Sequence, residues 1–317
     1  MDRRAFLASL AALGVQGALG STNAASLESM AAAKGSKRRK TGKFDEDLVV
    51  FISDLHTNPK GYSPDKLRRV LADILKLRPL PLNVIALGDL AYLTGKPEEY
   101  ALLKEIIVPL EASGIHFTMA MGNHDRRENF AAAFPQYAAK SLMPDRFVFK
   151  VETPRADFII LDSLQQGDDT TKWITPGKLN DAQKEWLEKT VKNYTKPVFV
   201  TAHHNIGETG LQKILTSSPT CSGYIHGHDH VWRPGWARKN WSEHDILRTL
   251  CLPSTGLWGD IGYTLFRMDE VGATANIKEY EFYFPTPVKD GEKVPEQWKV
   301  LAEEHNDAVC RFIYRNV

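Results

Sequence analysis

Seven residues able to donate to a metal recur along the chain: Asp54 with His56, Asp89, Asn123, His203, and His228 with His230. Carboxylate, imidazole and amide oxygen suit Zn, Mn, Fe or Co better than an oxygen-only Mg or Ca cage, and the set needs no thiolate. Asp54 and His56 stand two apart, as do His228 and His230, so in extended backbone each pair points to one side and reaches one metal region. Seven donors are too many for one tetrahedral ion. They imply two divalent ions sharing a carboxylate, roughly 3.5–4 Å apart. Taken singly, any of these residues is an ordinary loop polar group, since Asn and Asp favour turns and a nearby His can satisfy loop backbone.

Their placement argues for a shared site. Leu48-Val49-Val50-Phe51-Ile52-Ser53 is a continuous apolar run of the kind a doubly covered strand needs, and it ends in Asp54-Leu55-His56. Asn83-Val84-Ile85-Ala86-Leu87 stops at Gly88-Asp89, and Phe117 to Met121 stops at Gly122-Asn123-His124-Asp125. Val198-Phe199-Val200-Thr201 reaches His203-His204, and Gly223-Tyr224-Ile225 reaches His226-Gly227-His228-Asp229-His230. Five apolar strands thus end in polar donors at the same end, where open α/β sheets bind ligands. Helical spacing of Leu67, Val70, Leu71, Ile74 and Leu75 predicts a helix to about Leu77, with Ser63 as N-cap and Pro64 at its first position. A second helix is predicted from Pro97 to Glu111, and a third near Asn180 with Gln183 placed for a capping box. The strand–helix alternation implies parallel crossovers and an α/β fold. Phe158 to Leu161, Ile246 to Leu252, Tyr263 to Met268 and Ile277 to Phe284 read as further strands, the last three without long helices between them, so the later part is antiparallel or mixed.

The 317 residues suffice for one large α/β domain, and 40 Lys+Arg against 39 Asp+Glu leave a formal charge of +1, with no global case for nucleic acid or an anionic membrane as partner. Residues 1–24 read as an export signal: Arg3-Arg4 precede a small apolar run from Ala8 to Gly20, as in a bacterial twin-arginine leader. That run is too short to span a bilayer comfortably and no Cys offers a lipid anchor, so the expectation is a periplasmic or extracellular protein that engages the twin-arginine machinery and has no stable membrane anchor. Residues 25–47, with Lys34, Lys37, Arg38, Arg39, Lys40 and Lys43, read as a flexible basic tether before the domain at 48–317. Cys221, Cys251 and Cys310 are too few for a disulfide framework; the first two read as buried small apolar residues.

Asp54-x-His56, Gly88-Asp89, Gly122-Asn123-His124-Asp125, His203 and Gly227-His228-x-His230, in that order, resemble the calcineurin-like metallophosphoesterase superfamily. The resemblance implies a four-layer α/β/β/α sandwich of two mixed sheets with helices on both outer faces. It places Asp54, His56 and His230 on one metal, Asn123, His203 and His228 on the other, and Asp89 between them. By the same resemblance the metals (Mn, Fe or Zn) activate a bridging hydroxide that attacks the phosphorus of a small phosphomonoester or phosphodiester. His124 is implied as the catalytic group that stabilises developing charge or protonates the leaving alkoxide, with Asp125 either orienting it or serving as a turn residue. Two alternatives stand beside this reading: a phosphodiesterase specific for cyclic nucleotides or glycerophosphodiesters, and an inactive interaction scaffold on the same fold.

The block Leu161-Asp162-Ser163, with Gly177, Leu179, Gln183 and Trp186-Leu187 and with Arg126 after Asp125, is similar to the cyclic-nucleotide and glycerophosphodiester branch. Tyr92-Leu93 stand where protein phosphatases of the superfamily carry Asp and Arg, and His204-Asn205 replace the His-Pro common in the diesterase branch. Tyr92, His204 and His226 read as neighbours of the site or structural residues rather than ligands. Trp232, Trp236, Trp241 and Trp258, with Arg233 and Arg238, offer either base stacking or core packing.

Overall fold

The computed structural model describes residues 42–238, 246–257, 259–282 and 308–315. The leader and residues 25–41 therefore lie outside the described residues, whereas Phe44 to Asp47, expected to belong to the tether, instead open the first strand, where Phe44 and Asp45 pair with Leu80 and Pro81. Among the described residues twelve strands form two six-stranded sheets. The first contains β1 (Phe44–Ile52), β2 (Leu80–Leu87), β3 (His116–Ala120), β10 (Asp260–Met268), β11 (Gly272–Phe282) and β12 (Val309–Ile313), in the order β12-β11-β10-β1-β2-β3. The second contains β4 (Phe149–Glu152), β5 (Asp157–Ile160), β6 (Val198–Thr201), β7 (Cys221–His226), β8 (Arg233–Arg238) and β9 (Ile246–Cys251), in the order β4-β5-β6-β7-β9-β8. Both sheets are mixed. β1, β2 and β3 run parallel, as do β5, β6, β7 and β9, while antiparallel strands complete each sheet.

Period-two alternation within the apolar runs divides the core into layers. Val49 and Phe51 of β1, with Ile85 and Leu87 of β2, join Phe158, Phe199, Ile225, Phe266 and Phe312 in the layer between the sheets. The intervening residues Val50, Ile52, Val84 and Ala86 face the opposite way, onto α1 (Ser63–Ile74) and α2 (Pro97–Ala112) through Leu67, Val70, Ile74, Tyr100, Leu103 and Ile107. Phe130, from α3 (Arg127–Ala133), joins that layer, and α4 (Pro135–Ala138) follows directly. On the second sheet Ile159, Val198, Val200 and Tyr224 pack on α5 (Asp181–Lys192) through Leu187 and Val191, with Leu215 of α7 (Gln212–Thr216) beside them after the short α6 (Ile206–Thr209). Three apolar layers between helix, sheet, sheet and helix make the expected four-layer sandwich. Edge-to-face aromatic contacts cross its centre, as between Phe199 and Phe266, whose centroids lie 5.0 Å apart.

Local details depart from expectation. Tyr62, not Ser63, occupies the N-cap of α1, because the Ser63 hydroxyl is drawn away to the His56 carbonyl at 2.5 Å; α1 ends at Ile74 rather than Leu77. Asn180 caps α5 through the Gln183 N–H, but the Gln183 side chain does not return to it. Its amide instead bonds both the N–H and the carbonyl of Asp162, clamping the end of β5. Cys221, Cys251 and Cys310 are all free and buried. Trp232 is core and Trp236 is exposed on edge strand β8 under the Arg248 guanidinium, while Trp241 and Trp258 lie outside the described residues. Among the described residues no helix is long and apolar enough to cross a membrane.

Candidate metal centre

Hydrogen bonding between β1 and β2 continues past the strands: the N–H groups of Asp54, His56 and Thr57 donate to the carbonyls of Gly88, Asp89 and Leu90. From the other side Thr255 and Gly256 donate to the carbonyls of Ser53 and Asp54, so the loop after β9 fixes the Asp54 backbone. These residues are not extended, contrary to the pairwise argument from spacing. Asp54, His56, Asp89, His228 and His230 have φ of 53°, 44°, 47°, 70° and 55°, and they are the only non-glycine residues with positive φ among those described. Left-handed backbone is costly for such side chains and persists where surrounding structure enforces it, typically at functional sites. Each curl turns a side chain back over the strand ends, where a straight strand would carry it past them. Glycine makes room for this. A Cβ on Gly122 would lie 2.2 Å from Asp89 Oδ1, and one on Gly227 would lie 1.9 Å from Ser53 Oγ.

The two sheets deliver their donors to one point. From the second sheet His203 Nε2 lies 3.3 Å from Asp89 Oδ2, 3.2 Å from Asn123 Oδ1 and 3.3 Å from His228 Nδ1. His230 Nε2 lies 3.2 Å from both Asp54 Oδ1 and His56 Nε2, and His56 Nε2 is 3.6 Å from Asp89 Oδ2. All seven predicted donors are therefore brought together. Asp54, Asp89 and His203 are almost wholly buried.

Backbone carbonyls set the ring tautomers, since a carbonyl only accepts. The Leu87 carbonyl takes His203 Nδ1–H at 2.7 Å and the Tyr92 carbonyl takes His56 Nδ1–H at 2.9 Å, leaving each Nε2 lone pair aimed inward. Tyr92 thus acts on the site through its main chain. In the neutral tautomers, lone pairs of imidazole, carboxylate and amide face one another at hydrogen-bond distance with few protons between them, an arrangement that divalent cations satisfy. Without them the positive charge must come from the rings. Burial opposes protonation of His203, but Asp89 and Asp54 outweigh it and push this imidazole up to about 10. Burial likewise opposes ionisation of Asp54, yet His230 and His203 hold its carboxyl well below the usual range. His56 goes the other way, lowered to about 4 chiefly by burial.

His204 lies close to His203 and His228, but both its nitrogens are occupied, Nδ1 by Ser163 Oγ at 2.8 Å and Nε2 by the Thr175 carbonyl at 3.0 Å. It is a structural strut, and Gly177 is small because a Cβ there would lie 2.2 Å from that ring. His226 groups instead with Asp229 and Cys251.

His124 stands at the rim. Its N–H donates to Asp89 Oδ1 at 2.9 Å, its Nδ1 meets the Leu93 carbonyl at 2.8 Å, and its Nε2 is 4.0 Å from Asp89 Oδ2. Asp125 does not orient it. The buried Asp125 carboxylate accepts from the N–H groups of Leu90, Ala91 and Gly122 and from the Tyr100 hydroxyl, tying the second and third strand-end loops together. Burial and the nearby Asp89 charge push it up to about 7. Replacing Asp125 by Ala strands four buried donors and is expected to cost about 3 kcal/mol or more in thermal or denaturant unfolding. An unchanged midpoint would contradict this scaffold role.

Sequence reasoning missed Trp173, whose ring centroid lies 4.9 Å from that of His124. The stretch around it has no periodicity. The one usable signal was the pair Arg126-Arg127, whose guanidinium groups hold the segment, Arg127 gripping Asp162 through two bonds of 2.7 Å.

Comparison with known proteins agrees with this geometry. A probable glycerophosphodiester phosphodiesterase, GpdQ, of Arcobacter nitrofigilis is 29% identical over 179 residues, 52% of this chain and 59% of that protein, so the match spans less than two thirds of that relative. A probable cyclic nucleotide phosphodiesterase of Rhodopseudomonas palustris is 27% identical over 227 residues, 69% of this chain and 76% of that protein. In fold the chain is similar to a dimetal phosphatase of Danio rerio (TM-score 0.57, 13% identity, 73% of this chain and 96% of that one). It is also similar to a purple acid phosphatase of yellow lupin (TM-score 0.54, 14% identity, 74% and 51%). The family model described as calcineurin-like phosphoesterase matches residues 48–232, a span that begins within β1 and takes in all seven donors, and the chain belongs to that family of metal-dependent phosphoester hydrolases.

Proposed function

We propose that this chain hydrolyses small phosphodiesters and phosphomonoesters at a centre of two divalent metals. The observation that carries the reading is the convergence of seven donors from five strand ends, with ring tautomers set so that lone pairs face inward. Asp54, His56 and His230 would hold one ion and Asn123, His203 and His228 the other, with Asp89 reaching both; the donor types fit Mn, Fe or Zn. Such ions, when bound, supply a water of lowered pKa and neutralise phosphate oxygens.

The protein's own groups do the rest. Five of the seven donors sit on curled backbone pinned by hydrogen bonds to neighbouring loops, which keeps reorganisation during reaction small. His124 Nδ1 is committed to Leu93, so Nε2 is the atom that hydrogen-bonds a phosphoryl oxygen or, from the imidazolium, gives a proton to the leaving alkoxide. Similarity to a probable glycerophosphodiester phosphodiesterase and a probable cyclic nucleotide phosphodiesterase favours diesters. Metal-loaded full-length protein is expected to turn over bis(p-nitrophenyl) phosphate faster than p-nitrophenyl phosphate. Activity should disappear with chelator and return with Mn. Turnover of neither ester would overturn the reading.

Arg3-Arg4 and the apolar run after them support a second part of the proposal, export by the twin-arginine route to the periplasm or beyond. An Arg3→Lys/Arg4→Lys variant is expected to remain in the cytoplasm on fractionation. Normal secretion of that variant would contradict the route.

A further inference from the structure

Trp173 is held in place by residues adjoining the metal centre. Where its segment begins, Arg127 grips the Asp162 carboxylate and donates to the Leu164 carbonyl at 2.8 Å, while Arg126 donates to the Gly167 and Asp169 carbonyls at 3.3 and 2.6 Å. Where it ends, the Thr175 carbonyl meets His204 Nε2. Residues beside His124 and His203 in sequence thus fasten both ends of the segment. Between them the Trp173 indole lies against the His124 ring with 43% of the residue exposed.

A single exposed aromatic is ordinary on a protein surface. This one differs because it is braced against the proposed proton donor and walls a cleft of about 840 Å³. The cleft is also lined by Tyr92 and Leu93, whose carbonyls orient His56 and His124, and by Asn58, Lys60 and Arg126. That space is far larger than a phosphate group and is within the size range of pockets for organic ligands. Resting on the phosphoesterase reading, we propose that Trp173 is the specificity-determining residue of the site and that the favoured substrates carry a flat ring, an aryl group or a nucleobase, next to the phosphorus. The exposed indole stacks on that ring and holds the leaving oxygen toward His124 Nε2.

Phosphonates separate this inference from catalysis, because a phosphoesterase leaves their C–P bond intact. Calorimetric titration of benzylphosphonate and methylphosphonate into Mn-loaded full-length protein is expected to show the ring-bearing ligand binding roughly 10-fold tighter, as stacking on one aromatic side chain allows. Trp173→Ala should abolish that preference with methylphosphonate affinity unchanged within about twofold, and Trp173→Phe should keep most of it. Equal affinities in the wild-type protein, or loss of both affinities together in Trp173→Ala, would overturn the assignment. A wild-type preference that depends on Trp173, in a protein that cleaves no phosphoester, would sustain the ring-binding role and overturn the hydrolase reading alone.

Discussion

Replacing Asp89 by Asn is expected to lower kcat/KM at least about 10³-fold and to reduce bound metal from two ions per chain to one or none, measured by atomic absorption on dialysed protein. Shape is nearly conserved. Oδ1 of the new amide can still accept the His124 N–H, so the loop that carries His124 keeps its anchor. What disappears is the charge and the second acceptor oxygen, which in the native protein lies 3.3 Å from His203 Nε2 and 3.6 Å from His56 Nε2. The amide nitrogen that takes its place can donate to either imidazole, satisfying a lone pair that otherwise calls for a cation. With one buried negative charge removed, His203 also loses the largest influence that raises its pKa. Unfolding is not the cause: after chelation the variant should melt within a few degrees of chelated wild-type protein. Unchanged metal content and rate would remove Asp89 from its bridging position.

The sequence made the centre of each sheet legible and left three of the four edges obscure, for one physical reason. β1, β2, β5, β6 and β7 are covered on both faces, so they must be continuous apolar runs, and these stand out in any window. The missed strands β4, β8 and β12 are all edges. β8, Arg233-Pro-Gly-Trp-Ala-Arg238, carries Pro and Gly that an interior strand excludes and an edge tolerates. The seven donors were equally legible because their residue types and strand-end positions are local facts. Their geometry was not. Five of them bend into the left-handed region, which depends on the contacts of Gly122 and Gly227 with the opposing loop. Asp125 shows the same limit: its sequence position suggested either a partner for His124 or a turn residue, whereas its four donors come from residues up to 35 positions away.

Replacing His124 by Ala tests the division between holding metal and moving protons. The ring is no part of the proposed ligand set: its Nδ1 is taken by Leu93 and its Nε2 is 4.0 Å from the nearest Asp89 oxygen. The contact that does matter to the metal centre, His124 N–H to Asp89 Oδ1, comes from the main chain and survives in Ala. Metal content is therefore expected to stay at two per chain while kcat falls roughly 10²–10⁴-fold on an ester with an alkyl leaving group. Nitrophenolate needs little protonation to depart. If His124 is the general acid, the loss on bis(p-nitrophenyl) phosphate should thus be at least about tenfold smaller than on the alkyl ester. If it acts only by stabilising charge on the phosphoryl oxygens, the two losses should match, because that charge develops with either leaving group. Loss of metal together with activity would place the imidazole among the ligands and overturn both roles, since a side chain that leaves the ions in place when deleted is what each of them requires.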